Sequence, residues 1–233
     1  MLTMSKAGPR SSSIALWMGV IAAPIFIGAF TIIGARQTGY DWRRHAVSSL
    51  GAGHPGWPQR SNFILTGFLY LIAEWGLAPH PRRSSESRLV GIIVGAVGVG
   101  LIGSGIFVTD PVGGFPPPSS EEADKETPAL ARTTQSRSGK LHNLFAIPIF
   151  VGIPMAGVLS TISSARRGKY GWASYSLGSS VVMVASFLLF GSAFGGSLRL
   201  DGKGGIFQRI SVTTGFGWLS ALSLRQLATL NRS

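Results

Sequence analysis

The stretch LVGIIVGAVGVGLIGSGIFV, from Leu89 to Val108, contains no charged residue. As a helix, a run of that length reaches about 30 Å, the thickness of a bilayer's hydrocarbon core. A soluble helix shows an apolar stripe at 3.6-residue spacing, whereas this segment is apolar all round. Five further blocks resemble it, at about Ile14–Ala35, Asn62–Leu77, Leu141–Ile162, Trp172–Phe194 and Ile206–Leu224. The second and sixth are the most polar, with Glu74 in one and Gln208 and Arg209 in the other. Only 13% of the residues are charged, about half the share usual in a soluble domain.

These blocks predict an all-α, polytopic membrane bundle of six transmembrane helices. Residues 1–13 form a tail, 14–224 the membrane domain, and 225–233 a second tail. The first apolar run is too long for a cleaved signal segment and reads as a retained anchor helix. Six spans place both termini on one side. That side carries Lys6, Arg10, Arg82, Arg83, Arg88, Arg166, Arg167, Lys169, Arg225 and Arg232 in short segments, against Glu86 alone. By the positive-inside rule the termini are cytoplasmic. The opposite side holds the loops Arg36–Ser61, Thr109–Lys140 and Gly195–Gly205. Residues 111–140 include a Pro-, Ser- and acid-rich stretch too polar to bury itself, and this loop is expected to be mobile.

Several functions are excluded at this point. The net charge of +12 lies in clusters flanking apolar blocks, the pattern of juxtamembrane anchors and not of a nucleic-acid groove. The absence of cysteine removes disulfides, thiolate chemistry and Cys-based metal sites. His45, His54, His142 and Asp110 match no metal-ligand spacing, so neither a metal nor another cofactor is expected.

The candidate site residues are the polar groups at helix ends, because polar groups are costly in hydrocarbon. Asp110 ends the third block. It reads either as an Asp-Pro turn or as a carboxylate at the mouth of a bundle pocket. His142 opens the fourth block at the same depth, so a carboxylate–imidazole pair with Asp110 is one reading, and a histidine bonded to a loop carbonyl is the other. In YDWRRHAVSSL, a short interfacial helix would put His45, Ser48 and Ser49 on one face. That arrangement invites a hydrolytic triad with an aspartate, although no nucleophile-elbow motif accompanies the serines. The bland alternative lays this segment on lipid headgroups, with Arg43 and Arg44 on phosphates. Glu74 is an acid within a span, able to snorkel or to pair with Arg82 or Arg83. Arg209 faces the Asp110 level. The catalytic candidates are thus Asp110, His142, Ser48, Ser49 and His45, and the substrate-binding candidates Arg43, Arg44, Glu74 and Arg209.

Four elements together carry a family resemblance: Ser49–Leu50–Gly51 after the first helix, Gly67 in the second, Gly105–Phe107–Asp110–Pro111 ending the third, and Gly139–His142 starting the fourth. In this order they resemble the DUF998 family of six-span membrane proteins. That family is similar in topology to the Frag1/DRAM/Sfk1 group, which is linked to lipid handling. The resemblance implies six spans and, by analogy of fold alone, a lipid-related role.

Three functions follow as expectations. The first is an enzyme acting on a lipid or other hydrophobic substrate by acid–base chemistry at a pocket on the non-cytoplasmic face, through hydrolysis, cyclisation or isomerisation. The second is a non-catalytic lipid-binding, scaffold or accessory protein, whose partners would be a membrane lipid, a hydrophobic small molecule, a packing helix or a second copy. The third is a small transporter, resting on Glu74.

Overall fold

The computed structural model describes residues 9–77, 85–117, 135–194, 200 and 202–231. Apart from one isolated bridge between Val112 and Phe115, the regular structure among these residues is helical. Six long helices form: α1 (Pro9–Arg36), α2 (Trp57–Leu77), α3 (Ser85–Ile106), α4 (Arg137–Ala165), α5 (Tyr170–Ser192) and α6 (Gly204–Leu230). Each expected apolar block is one of them. Of the six, α1, α3, α4 and α5 are long and apolar enough to cross a membrane. The two more polar helices are α2 and α6, the blocks that carry Glu74, Gln208 and Arg209.

Three boundaries differ from the hydropathy reading. Helix α2 starts at Trp57, five residues before the expected Asn62, because Pro58 suits a first helical turn. Helix α6 continues to Leu230, so Arg225 is helical. The expected helix over WRRHAVSSL is replaced by turns and a short 3-10 segment, Ser48–Gly51. Local bonds compete with the helix there. The Asp41 carboxylate accepts from the Arg43 N–H at 2.9 Å, and the Asp41 N–H donates to His45 Nδ1 at 2.9 Å.

Sequential helices pack side by side, and α6 returns to α1, so the six close into a ring. Helix α3 reaches its neighbours through glycine. A Cβ on Gly67 of α2 would lie 2.6 Å from the Gly98 carbonyl oxygen of α3, and one on Gly103 would enter the Phe145 ring of α4. Small residues that let backbones approach this closely are the usual means of packing helices in lipid.

Burial in α5 is inverted relative to a soluble helix. Ser176, Ser180 and Ser186 face inward, while Leu177, Val181 and Leu188 face outward. The inward hydroxyls are used between helices. Ser180 Oγ donates to the Pro154 carbonyl at 3.2 Å, and Trp218 Nε1 donates to Ser176 Oγ at 3.0 Å. An exposed apolar face around a small, polar interior is stable when the surroundings are hydrocarbon.

Helix α4 contains a π turn at Pro148–Gly152. Pro148 and Pro154 lack backbone N–H groups, and the ladder is re-spaced between them. The turn carries Ile149 and Phe150 toward the ring interior, where both line a cavity.

Of the loop 111–140 expected to be mobile, residues 118–134 lie outside the described residues. The first part, up to Pro117, is anchored by one buried side chain, that of Phe115. Gly113 and Gly114 have φ of 70° and 87°, which fits the tight Val112–Phe115 turn. That turn buries Phe115 against His45, with ring centroids 5.2 Å apart.

Candidate binding cavity

A cavity of about 250 Å³ opens inside the ring at the end that carries His142. All six helices contribute. Phe26 comes from α1, Phe63 from α2 and Leu101 from α3; Phe150, Phe187 and Phe216 come from α4, α5 and α6. The chain reverses at each loop, so this end collects the C-terminal halves of the odd helices and the N-terminal halves of the even ones. Few polar groups interrupt the aromatic wall; among them are Ser48, Ser104, Thr109, His142, Asn143 and Gln208. An apolar pocket with a few polar groups is the usual form of a small-molecule site.

His142 is the best-defined of these groups. Its ring is buried, and Nδ1 lies 2.9 Å from the Phe107 carbonyl oxygen and 3.2 Å from that of Ser104. Two acceptors at one ring nitrogen require that nitrogen to carry the proton. Nε2 therefore keeps its lone pair in the neutral ring. The side of the ring toward Phe63 makes an edge contact, with centroids 6.3 Å apart. Nearby, Ser104 Oγ is buried without a hydrogen-bond partner.

Asp110 does not supply the acceptor for His142 Nδ1. Its Oδ2 accepts from the Ser136 N–H at 3.1 Å, and the carboxylate rests on Gly139, where a Cβ would overlap it. Ser136 in turn is the N-cap of α4, its Oγ accepting from the Gly139 N–H at 2.9 Å. A carboxylate at this position favours the positive end of the helix dipole. Ser138 completes the joint with two bonds of 2.8 Å to the backbone of Val108. Phe107 stacks on Phe145 at 5.5 Å. Phe107, Asp110, Gly139 and His142 thus lock α3 to α4. From the α2 side, Arg60 Nε donates to the Gly105 carbonyl at 3.1 Å, capping the end of α3.

The His45–Ser48–Ser49 triad does not assemble. His45 Nδ1 accepts from the Asp41 N–H, so in the neutral ring the other nitrogen carries the proton. Neither nitrogen is left to take a proton from a serine. Ser48 lines the cavity, but Ser49 Oγ is buried without a partner. Burial holds His45 below the ordinary histidine range, and the Arg44 and Arg209 cations add to this. Asp41 and the Gly113 bond oppose the shift without cancelling it.

The substrate-binding candidates separate. Arg209 is a clamp for the first loop: Nη1 donates to the Trp42 carbonyl at 2.6 Å and to that of His45 at 3.3 Å, and Nη2 donates to Tyr40 Oη at 2.6 Å. Its guanidinium also lies 5.7 Å from the Phe30 ring centre and 5.5 Å from that of Tyr40. Burial raises the Tyr40 hydroxyl above its ordinary range, opposed by Arg209. Arg43 and Arg44 are exposed, with Arg43 over the Trp42 ring at 5.3 Å. Glu74 lies on the other half of α2, against Gly95 of α3, and does not line the cavity. Its suggested partners Arg82 and Arg83 lie outside the described residues. Among the described residues no cluster of three or more metal-ligating side chains forms.

The sequence reading missed a row on α2. Gln59, Asn62, Thr66 and Tyr70 are all buried, at spacings that keep them on one helix face. Asn62 Nδ2 donates to the Phe26 carbonyl at 3.1 Å, whereas Thr66 Oγ1 and Tyr70 Oη have no partner. The 3–4–4 spacing in QRSNFILTGFLY was the available signal. In the sequence Gln208 stands out only as a polar residue of the sixth block, yet its Oε1 accepts from the buried Val47 N–H and so fixes the cavity's edge.

An all-helical ring with an inverted surface and four helices apolar enough to span defines a multi-pass membrane protein. The chain belongs to the DUF998 family, described as a protein of unknown function, whose model matches residues 20–225. Neither the curated proteins nor the solved structures compared with it give a match.

Proposed function

We propose that the protein crosses the membrane six times, with cytoplasmic termini, and holds an apolar molecule such as a lipid chain in the aromatic cavity at its non-cytoplasmic end. The transmembrane unit over residues 14–224 is a single domain between short tails. The observation that carries the reading is the cavity itself: about 250 Å³ walled by phenylalanine from the helices, with a tautomer-fixed histidine on its lining. A space of that size takes part of an acyl or isoprenoid chain, and His142 and Ser104 suit a hydroxyl, carbonyl or carboxyl at its polar end.

A photoreactive fatty alcohol tests this. Gly191 lines the cavity, and nothing lies within 4 Å of a Cβ built there, so Gly191→Phe adds a ring at the cavity wall without an initial clash. Adducts concentrated on Phe150 and the Phe187–Phe194 segment, and lost in Gly191→Phe, are expected. Adducts spread equally over outward residues such as Leu177 and Leu188, unchanged in the variant, would defeat the reading.

A second reading adds chemistry. The Phe107 and Ser104 carbonyls hold the proton on Nδ1, so Nε2 is a base on a ring that lines the cavity. Acid–base catalysis then belongs to His142 acting on the polar end of the bound molecule, with Asp110 positioning the helix that carries it. If wild type converts an added lipid extract to new masses and His142→Ala does not, the protein is an enzyme. If both leave the extract unaltered, binding alone remains.

A further inference from the structure

A second cavity, of about 280 Å³, lies at the opposite end of the ring, between the ends of α2, α4 and α6 and the starts of α3 and α5. Its chemistry is the reverse of the first. Arg167, Lys169 and Arg225 line it, and the acid present, Glu86, is already bonded to Arg166 at 2.7 Å. The Arg225 guanidinium carbon lies 4.5 Å from the Trp172 ring centre, a cation–π contact that holds the cation at the cavity. Its Nη1 is buried without a hydrogen-bond partner. Ser163 is 4% exposed, lines the same cavity, and its Oγ also has no partner.

The backbone brings the cations there. Helix α4 ends in a turn in which the Lys169 N–H donates to the Ser164 carbonyl at 2.9 Å and the Gly168 N–H to that of Ala165 at 2.9 Å. Gly168 has φ of 68°, as such a helix terminus requires. Arg167 and Lys169 flank that glycine and reach the cavity rim, where Arg167 repels Arg225. Helix α5 begins at Tyr170 and turns its positive end toward the same place. Mutually repelling cations, an unpartnered guanidinium nitrogen and an unpartnered buried hydroxyl are complementary to one kind of ligand, a compact oxyanion with several acceptors.

We propose that this cavity binds a phosphate group, as the headgroup of a membrane phospholipid or as a free phosphate, with Arg225 and Ser163 as its inner donors and Arg167 and Lys169 at its rim. The volume lies just below the usual range of ligand pockets, about 300–1,000 Å³. It admits a headgroup and leaves the acyl chains to run along the outside of the bundle. The site is separate from the aromatic cavity, so Gly191→Phe leaves it intact.

The test is a thermal-unfolding titration of the purified full chain in neutral detergent. The probes are inorganic phosphate, dioctanoyl phosphatidic acid and dioctanoyl phosphatidylcholine. Phosphatidic acid is expected to raise Tm saturably in wild type. Arg225→Gln is expected to weaken the half-saturating concentration at least tenfold and Lys169→Ala several-fold. A rise with phosphatidic acid alone identifies a lipid headgroup site. A rise with inorganic phosphate as well, at similar concentration, identifies a soluble phosphate site. The proposal is overturned if neither anion raises Tm, if phosphatidylcholine is as effective as phosphatidic acid, or if the response is the same in Lys169→Ala and Ser163→Ala. Those two variants keep the test decisive should Arg225→Gln fail to fold.

Discussion

The two ends of the helical ring are built on opposite plans. At the His142 end, loops and helix termini are tied down: Asp110 on Ser136, Ser138 on Val108, Arg60 on Gly105 and Arg209 on the Tyr40–His45 loop. The charged side chains there hold walls, Ser104 Oγ stays unpartnered on the lining, and the space they enclose is aromatic. At the Arg225 end, Arg225 Nη1 and Ser163 Oγ are buried without a hydrogen-bond partner, and the space is basic. A polar residue at a helix end is informative only once its bonds are counted. Asp110 attracts notice in the sequence and is consumed by structure. Ser163 attracts none and is unspent.

Four perturbations probe the two ends. The largest effect is expected at the clamp. Arg209→Ala removes hydrogen bonds to Trp42, His45 and Tyr40 together. Loss of bonds from a charged donor in a protected setting predicts a destabilisation of about 3 kcal/mol, read as a fall in Tm. A Tm equal to wild type would mean that the first loop is held by something else.

Asp110→Ala comes next. It strips the cap from the Ser136 N–H and the anion from the start of α4, a loss of about 1–2 kcal/mol. Asp110→Asn keeps an acceptor and should recover roughly half. If Asp110→Ala instead raised stability while abolishing a lipid conversion, the carboxylate would belong to the chemistry and the contrast between the ends would fail.

At the other end the sign differs. Arg225→Gln removes one of two repelling cations, so stability without ligand should stay within about 0.5 kcal/mol of wild type or rise. A loss as large as that of Arg209→Ala would show that Arg225 is structural.

The smallest effect is the pH dependence of the first loop. His45 is held below the ordinary histidine range by burial, with the cations of Arg44 and Arg209 adding to it. The unfolded chain therefore takes up the proton first. The stability contributed by neutral His45 is complete above about pH 6.5 and is lost as pH falls through the lower, folded value. Tm should decline more steeply between about pH 6.5 and 5 in wild type than in His45→Gln. Parallel curves would mean that His45 does not titrate in that window.

Much of this fold was legible from the sequence, because hydrocarbon imposes one demand on every span. The six blocks became six helices, and α2 and α6 were the polar ones for the reason visible in Glu74, Gln208 and Arg209. The Gly105–Phe107–Asp110 and Gly139–His142 elements were legible as a pair, although their meaning was not: they form the α3–α4 joint. The first loop was misread because the helical spacing of His45, Ser48 and Ser49 says nothing of the Asp41 bonds that replace the helix. The Arg225 cavity was not legible at all. Ser163 and Lys169 share one helix end, but Arg225 is far away in the chain, and only ring closure brings it to them.

The central claim is that the aromatic cavity holds an apolar molecule. Native mass spectrometry of the full chain released from membrane discs tests it most directly, with Gly191→Phe alongside. The account predicts one apolar molecule bound at near-stoichiometric level in wild type and absent from the variant. An identical set of bound masses in both would contradict it.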